Sequence, residues 1–572
     1  MIHYKLYLKN PQSHYIYVDL TIDAVSSPSL ELQLPAWRPG RYELGNFAKN
    51  VKRVDVFDEN DKPLVYQKST KDLWVIETNG AKKIKVTYSY HTTEINAGNC
   101  YADETQLYVN PVHLCMYVPA RMQEEHAVEL DIPENYKVAT SLKKVNKNFV
   151  ASTFDELADS PIMASASLQS DFYEVNGIQF WLHFIGECKP DWDKFKTDFT
   201  KFTQTQLNFW KGIPTDEYHF LFQILPFKFY HGVEHQKSTV IAIGPGYNVN
   251  KGKTYEDILG VSCHELFHTW NIKYIRPVEM LPYDFTKENY ARSGYVYEGF
   301  TTYYGDLLLL TSGVFNTQEY FDTLEERLTK HFHNYGRFNL SVAHSSWDTW
   351  LDGYVPGAPY RKTSIYDEGN LVAFMLDTLI MKHSNNQKGL SDVCRALYND
   401  FGKKQKGYSE QDIISLCEKA AGTSLKPFFD KYVYGTEDFE IPLNECLSYI
   451  DVELVKTASL QSCESLYGFK TLDFGLNRKV SLIAPYSPSW KAGLSSGDEI
   501  LAVNGYTLKN DFNDWMQYFK ETDIELTVSS NQQLKTIKLV KSSKPITYFD
   551  TLKLKQKDIN SLNYKRWIEL NS

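Results

Sequence analysis

Apolar and polar residues alternate along the first 170 residues, which is the pattern of strands with one buried face. The run 15–18 (Tyr-Ile-Tyr-Val) and the run 86–90 (Val-Thr-Tyr-Ser-Tyr) both show this period of two. Turn-forming sequences, as at 38–40 and 59–61, separate runs of this kind. The pattern predicts an N-terminal β-sandwich domain over residues 1–170.

Helical periodicity takes over in residues 171–445. Two strands are predicted first, at 180–184 and 218–223. Helices are then predicted at 298–312, 317–333, 367–383, 390–401, 409–420 and 425–433. This region is therefore expected to be an α+β domain that becomes mostly helical.

Short strands return in residues 455–545, where the run 493–505 (Gly-Leu-Ser-Ser-Gly-Asp-Glu-Ile-Leu-Ala-Val-Asn-Gly) stands out. Residues 546–572 are rich in Lys and show little periodicity, so they are expected to be a C-terminal tail. A chain of 572 residues exceeds what one hydrophobic core supports. The fold class predicted from these patterns is multidomain α+β.

The composition of the chain disfavours some classes of partner and predicts where the protein is located. The net charge is −10, with both signs mixed along the chain, which disfavours nucleic acid as a partner. No apolar run is long enough to predict a membrane span. The eight cysteines are scattered and are expected to be reduced and buried. The chain begins on a strand pattern rather than a signal peptide, which predicts a cytoplasmic protein, or a periplasmic one if a signal precedes this sequence.

The strongest chemical signal is the spacing His264-Glu265-x-x-His268. The surrounding helix is predicted to begin at Thr254 and to run to about Ile275. Residues four apart share one face of a helix, so both imidazoles can reach one tetrahedral zinc ion. Glu265 lies beside them as the candidate general base. The alternative is an accidental match, but the flanking residues are apolar nearly all round, and buried polar groups need partners.

A catalytic zinc ion also needs a third protein ligand. Glu298, at the start of another apolar helix, is the best candidate. By itself it could equally be an acidic residue that stabilises a helix N-terminus.

These segments, with Glu298-Gly-Phe-Thr-Thr-Tyr-Tyr, closely resemble the glycyl aminopeptidase family of PDZ-containing zinc metallopeptidases. The segment Trp37-x-Pro39-Gly40-x-Tyr42 is similar to one in that family's N-terminal domain. The family belongs with the aminopeptidase N-like enzymes. The resemblance implies a thermolysin-like catalytic domain behind the β-sandwich, one zinc ion per chain, and Glu298 as its third ligand.

Three further residues gain roles from this resemblance. Gly232 and Glu234 lie in a segment, 230–235, that resembles the Gly-x-x-Glu strand segment lining the substrate cleft in such enzymes, where the Glu binds the free α-amine of a peptide. Tyr366 matches a tyrosine that donates to the tetrahedral oxyanion. The alternatives are an ordinary strand carboxylate for Glu234 and a packing aromatic for Tyr366.

Residues 455–545 resemble a PDZ domain. Tyr467, Gly468 and Phe469 match the loop whose backbone N–H groups bind a peptide C-terminus. A C-terminal peptide is therefore a possible partner, although the module could simply pack on the catalytic domain.

The sequence thus predicts a zinc aminopeptidase that acts on peptides and, by resemblance, prefers small N-terminal residues such as Gly or Ala. The alternatives are a zinc endopeptidase or other zinc hydrolase, or a PDZ scaffold with a relic metal site.

Overall fold

The computed structural model describes residues 2–92, 94–355 and 357–572. In the first 165 residues the alternating pattern forms the expected strands, with buried and partly exposed side chains alternating along β1 and β2. The strands are β1 (Ile2–Tyr7), β2 (Tyr15–Asp23), β3 (Ser29–Gln33), β4 (Val51–Asp58), β5 (Tyr66–Lys68), β6 (Leu73–Glu77), β7 (Lys83–His91), β8 (Tyr101–Ala102), β9 (Gln106–Val109), β10 (His126–Asp131), β11 (Lys137–Thr140), β12 (Lys143–Val145), β13 (Asn148–Ala151) and β14 (Ile162–Ser165).

These strands form sheets in the orders β12-β13-β10-β1-β2-β7-β4, β11-β14-β9-β8 and β3-β6-β5. Two short helices, α1 (Pro111–Leu114) and α2 (Phe154–Ala158), lie among them. The predicted N-terminal β domain is confirmed.

The central region begins with a sheet and continues in helices. Its strands are β15 (Gln169–Val175), β16 (Ile178–Ile185), β17 (Glu217–Ile224), β18 (Phe229–Glu234) and β19 (Ser238–Gly244), in the order β15-β16-β17-β19-β18. Its helices are α3 (Trp192–Trp210), α4 (Gly252–His268), α5 (Thr301–Thr311), α6 (Thr317–Phe332), α7 (Val342–Trp347), α8 (Thr349–Asp352), α9 (Asp367–His383), α10 (Leu390–Asp400), α11 (Glu410–Ala421), α12 (Lys426–Phe428) and α13 (Glu440–Tyr449). Both predicted strands and the mostly helical character are confirmed.

The C-terminal region contains a separate small module. After β20 (Val452–Thr457) come β21 (Phe469–Phe474), β22 (Asn477–Ile483), α14 (Pro488–Lys491), β23 (Glu499–Val503), β24 (Tyr506–Thr507), α15 (Phe512–Tyr518), β25 (Ile524–Ser530) and β26 (Gln533–Leu539). The sheet order is β21-β22-β23-β25-β26, with β24 paired to β23 and β21 at an edge. Residues 463–539 supply its own hydrophobic core.

The last residues return to the central region, which differs from the expected tail. Strand β27 (Thr551–Gln556) pairs with β20, and helix α16 (Leu562–Leu570) buries its aromatic face in the catalytic core. There the Trp567 indole N–H donates to the Tyr303 hydroxyl at 2.9 Å. Tertiary partners, not local sequence pattern, order this segment.

The N-terminal and central regions share a continuous core, because one N-terminal loop inserts into the central region. Trp37 is fully buried, and its indole N–H donates to the Asp284 carbonyl at 2.6 Å. The backbone N–H of Ala36 donates to the Phe285 carbonyl at 2.7 Å. These contacts fix residues 38–42 against the central region.

All eight cysteines are buried and unpaired, as expected. Among the described residues, no helix combines the length and apolarity that a membrane crossing requires.

Candidate active site

Helix α4 carries the His-Glu-x-x-His segment, but its bounds differ from the prediction. It begins at Gly252, without the predicted cap at Thr254, and ends at His268 rather than near Ile275. Ile272 has a φ of +94°, which a helix cannot include and which a β-branched side chain rarely adopts. The chain therefore leaves the helix directly after the second histidine.

Three ligand-type atoms converge at this helix end. His264 Nε2 and His268 Nε2 are 3.0 Å apart. Glu298 Oε2 lies 3.3 Å from His268 Nε2 and 3.7 Å from His264 Nε2. A tetrahedral zinc ion bound at about 2.0–2.1 Å requires ligand atoms about 3.3 Å from one another. The three residues therefore fit a zinc ion without rearrangement.

The charges around these atoms also favour a cation. The Asn271 carbonyl accepts from His268 Nδ1 at 2.8 Å, which directs Nε2 toward Glu298. Burial would lower the pKa of His268, but the charge of Glu298 raises it instead. When no metal is bound, His268 therefore carries a proton and a positive charge beside Glu298. A bound divalent cation would displace that proton and supply the positive charge instead.

Glu298 is positioned by two unusual features. It lies in one turn of π-helix, Tyr295–Phe300, that leads into α5. The next residue, Gly299, packs so closely on Gly369 of helix α9 that a side chain there would collide with the α9 backbone. From the N-terminal domain, the Tyr42 hydroxyl donates to Glu298 Oε1 at 2.9 Å. Residues of the N-terminal region and of the central region therefore both position Glu298, the third predicted ligand.

Two more buried carboxylates face the same point. Ligand atoms of Glu234, Glu265 and His268 lie within 4.8 Å of one another. Among the described residues, Glu234 Oε1 and Glu265 Oε2 have no hydrogen-bond partner. Burial raises the pKa of Glu265 to about 8, and the charges of Glu234 and Glu298 add to the rise. Carboxylate oxygens left without partners in a cavity are suited to binding water or a cationic amine.

Glycines allow the backbone to approach both carboxylates. A side chain at Gly232 would collide with the Glu265 carboxylate, and one at Gly40 would collide with that of Glu234. Gly40 also has a φ of +84°, which favours glycine. Gly232 therefore lies in the wall of the cavity that Glu265 lines.

A buried ion pair joins the two domains behind these carboxylates. Lys273 Nζ lies 2.9 Å from Asp159 Oδ1, and His235 Nδ1 lies 3.1 Å from the same oxygen. Burial would raise the pKa of Asp159, but Lys273 and His235 lower it. The pair fastens the end of the N-terminal domain to the turn after α4.

Tyr366 directly precedes helix α9 and lines the same cavity as the metal-ligand candidates. Burial and the charge of Glu298 raise its pKa well above the usual value, so the phenol stays protonated and can donate a hydrogen bond. This catalytic cavity has a volume of about 780 Å³. Its wall includes Gly40, Gly232, Glu234, Glu265, Glu298 and Tyr366.

The predicted peptide-binding loop of the C-terminal module lies apart from this cavity. Tyr467 and Phe469 are buried in the module's core, and Gly468 has a φ of +80° before edge strand β21. Peptide binding at this loop stays a prediction.

Sequence reasoning missed Tyr42, Gly40 and Lys273 as parts of the site. The segment that contains Tyr42 and Gly40 was identified only as a mark of the N-terminal domain. Its dense Trp, Pro, Gly and Tyr composition was the available signal, but nothing local shows that it reaches the third ligand.

Comparison with known proteins agrees with this geometry. The model of the Peptidase M61 N-terminal domain matches residues 3–166, and that of the M61 glycyl aminopeptidase matches residues 257–372. No curated protein matches the chain significantly.

Solved structures give a similar result. The crystal structure of an aminopeptidase N family protein from Idiomarina loihiensis is 25% identical, with a TM-score of 0.92, over 99% of this chain and 100% of that one. An M1 zinc metallopeptidase from Deinococcus radiodurans is 12% identical, with a TM-score of 0.46, over 77% of this chain and 95% of its own. A mutant of that enzyme bound to a Tyr-Ser-Ala substrate is 13% identical, with a TM-score of 0.47 and the same coverage.

Two matched domains, a structural neighbour that covers the full length, and the converging ligand atoms lead to one conclusion: the chain carries a Peptidase M61 N-terminal domain and an M61 glycyl aminopeptidase domain and is a metallopeptidase.

Proposed function

We propose that the protein is a zinc-dependent aminopeptidase that removes small N-terminal residues, such as Gly or Ala, from peptides. The observation that carries this proposal is Glu234, a buried carboxylate with an unpartnered oxygen beside Glu265 and His268. A carboxylate in that position can bind the ammonium group of a peptide N-terminus. The preference for a small residue is supported only by the family description, which names a glycyl aminopeptidase.

His264, His268 and Glu298 would hold one zinc ion, since their donor atoms already have the required separations. When bound, zinc polarises the scissile carbonyl and lowers the pKa of water to about 7. This part of the chain, residues 171–445, is proposed to be the thermolysin-like catalytic domain behind a β-sandwich of residues 1–170.

The side chains supply the remaining chemistry. Glu265 accepts a proton from the attacking water and delivers it to the leaving amine. The Tyr366 hydroxyl donates a hydrogen bond to the oxyanion. Glu234 holds the α-amine, which places the first peptide bond next to Glu265.

We also propose that residues 455–545 form a PDZ domain. Edge strand β21, the preceding loop with its left-handed Gly468, and helix α15 support this proposal. A peptide C-terminus would then extend β21.

The aminopeptidase proposal predicts that Glu234→Gln lowers kcat/KM for alanine p-nitroanilide by about a hundredfold. The substitution keeps the shape of the side chain but removes the charge that binds the ammonium group, and such charged hydrogen bonds contribute roughly 1.5–3 kcal/mol. Steady-state kinetics measures the effect. Glu187→Gln, at an exposed position, is the matched control.

N-acetylalanine p-nitroanilide separates this proposal from the alternatives. An aminopeptidase leaves the blocked substrate intact. Equal cleavage of free and blocked substrates by the wild-type protein would instead identify an endopeptidase or another zinc hydrolase.

The contact between domains predicts that Tyr42→Phe weakens zinc binding by about 10- to 100-fold. The hydroxyl that orients Glu298 is lost, and partners that orient metal ligands typically have effects of this size. Competition with a chelator of known affinity measures the dissociation constant. Tyr247→Phe, where the side chain is 79% exposed, is the control, and an equal dissociation constant in both variants would contradict the prediction.

A further inference from the structure

A second cavity, of about 790 Å³, lies between the catalytic region and the C-terminal module. We call it the module cavity. One wall comes from residues 357–366, which lead to helix α9, and the other from the module. Its volume falls within the usual range of ligand sites, about 300–1,000 Å³.

The module cavity borders the catalytic cavity. Lys330, Ser364 and Tyr366 line both of them. Tyr366 is the residue proposed to contact the oxyanion, so the module cavity begins next to the position proposed for the scissile bond.

The module wall combines an apolar part with a polar part. The apolar part is formed by Leu482 and Ile483 of β22, Leu494, and Trp490 of α14, and the polar part by Lys470 and three serines. Trp490 is 54% exposed although it faces this cavity. Side chains of this kind bind apolar groups and gain free energy when a ligand covers them.

Specific hydrogen bonds hold the module wall in place. The Tyr360 hydroxyl donates to the Ile483 carbonyl at 2.5 Å and accepts from the Ile483 N–H at 3.3 Å. One side chain thus bonds both backbone groups of a residue in the wall. The wall is therefore a fixed surface.

Lys470, on strand β21, gives the cavity a positive charge. Its ammonium group donates to His333 Nδ1 at 3.0 Å. Burial and the charge of Lys470 lower the pKa of His333 to about 4, so this partner is neutral near pH 7. Among the described residues, no carboxylate forms an ion pair with Lys470, whose charge stays available for an anion.

The other end of the catalytic cavity has the opposite charge. It is lined by Asp257, Glu319, Asp322 and Glu326, and Lys253 pairs with Asp257 and Glu326, so the acidic residues remain in excess there. A peptide with a free C-terminus carries a carboxylate, which that end repels and which Lys470 attracts. Because Glu234 would hold the amine of the substrate, the residues after the scissile bond must extend either toward these acidic residues or toward the module cavity.

We propose that the module cavity binds the residues downstream of the scissile bond, and that it selects short peptides with apolar side chains there and a free C-terminal carboxylate near Lys470. This inference rests on the proposed aminopeptidase function and assigns the C-terminal module a direct part in substrate choice.

The test uses the full-length zinc-loaded protein with Ala-Gly-Leu-Leu and Ala-Gly-Leu-Leu-Leu, their C-terminal amides, and the corresponding Ser peptides. Alanine p-nitroanilide, which has no downstream residues, is the reference substrate. Each kcat/KM is divided by the kcat/KM that the same protein variant shows for alanine p-nitroanilide. We expect the best Leu acid to exceed both its amide and its Ser counterpart by about tenfold, since burial of one Leu side chain or one ion contact has this order of effect.

Two variants separate the contributions. Trp490→Ala is expected to reduce the Leu-over-Ser preference about fivefold to tenfold, and Lys470→Met to remove the acid-over-amide preference. Tyr518→Ala and Lys535→Met, at exposed positions of the same module outside the cavity, should keep the wild-type ratios.

The outcomes are distinct. Unchanged ratios in both variants, or an equal loss of activity on all substrates, would overturn the inference, because the module would then have only a structural role or a different partner. If the wild-type protein fails to hydrolyse alanine p-nitroanilide at all, the proposed function itself fails.

Discussion

Glu265→Gln is expected to lower kcat on alanine p-nitroanilide by roughly a thousandfold, because glutamine cannot accept the proton of the attacking water. The zinc content should stay at the wild-type level, since Glu265 is not part of the proposed ligand set of His264, His268 and Glu298. Metal analysis and steady-state kinetics on the same preparation measure both quantities.

The raised pKa of Glu265 makes this residue a suitable proton acceptor. Burial and two neighbouring carboxylates raise that pKa to about 8 in the metal-free protein, so the group holds and releases protons readily near neutral pH. A zinc ion beside it would lower the value. Glu445→Gln, exposed on helix α13, is the matched control. Turnover within a few fold of wild type in Glu265→Gln would exclude Glu265 as the base.

His268→Ala is expected to abolish zinc binding and, with it, turnover. His268 Nε2 takes part in the two shortest separations of the ligand set, to His264 and to Glu298. Because the variant binds no zinc, it should also lose the rise in melting temperature that zinc gives the wild-type protein. In addition, Glu298 stays buried with one fewer cationic partner, which destabilises the variant. Metal analysis and thermal unfolding, each with and without chelator, measure these effects.

His383→Ala removes an exposed histidine at the end of helix α9 and serves as the control. The wild-type protein treated with chelator should behave like His268→Ala. If His268→Ala retains a full complement of zinc, the assignment of the metal site is wrong.

The chemical centre was largely predictable because its main signal is local. An i,i+4 spacing on one helix places two imidazoles on one face whatever surrounds the helix. The helix end was not predictable in the same way. The Asn271 side chain donates to the Val296 carbonyl at 2.9 Å, and this long-range contact holds the turn that ends α4 at His268.

The tail was misjudged for a related reason. Residues 546–572 show little periodicity in sequence, but Trp567 and Asn571 are buried against residues that lie about two hundred positions or more earlier in the chain. The Asn571 side chain donates to Asp377 Oδ2 at 2.8 Å. A segment that completes a core formed by distant residues does not need a long periodic pattern of its own.

The sequence by itself determined the spacing of two imidazoles and a carboxylate on one helix, a further carboxylate on a later helical segment, and an alternating N-terminal β domain. Only the tertiary structure decided that Tyr42 of the first domain contacts Glu298, that Glu234 lies beside Glu265, and that the C-terminal module forms a wall next to Tyr366. The physical reason is that helical and strand periodicity follow from backbone geometry over a few residues, whereas contacts across hundreds of residues depend on how separate elements bury their surfaces together.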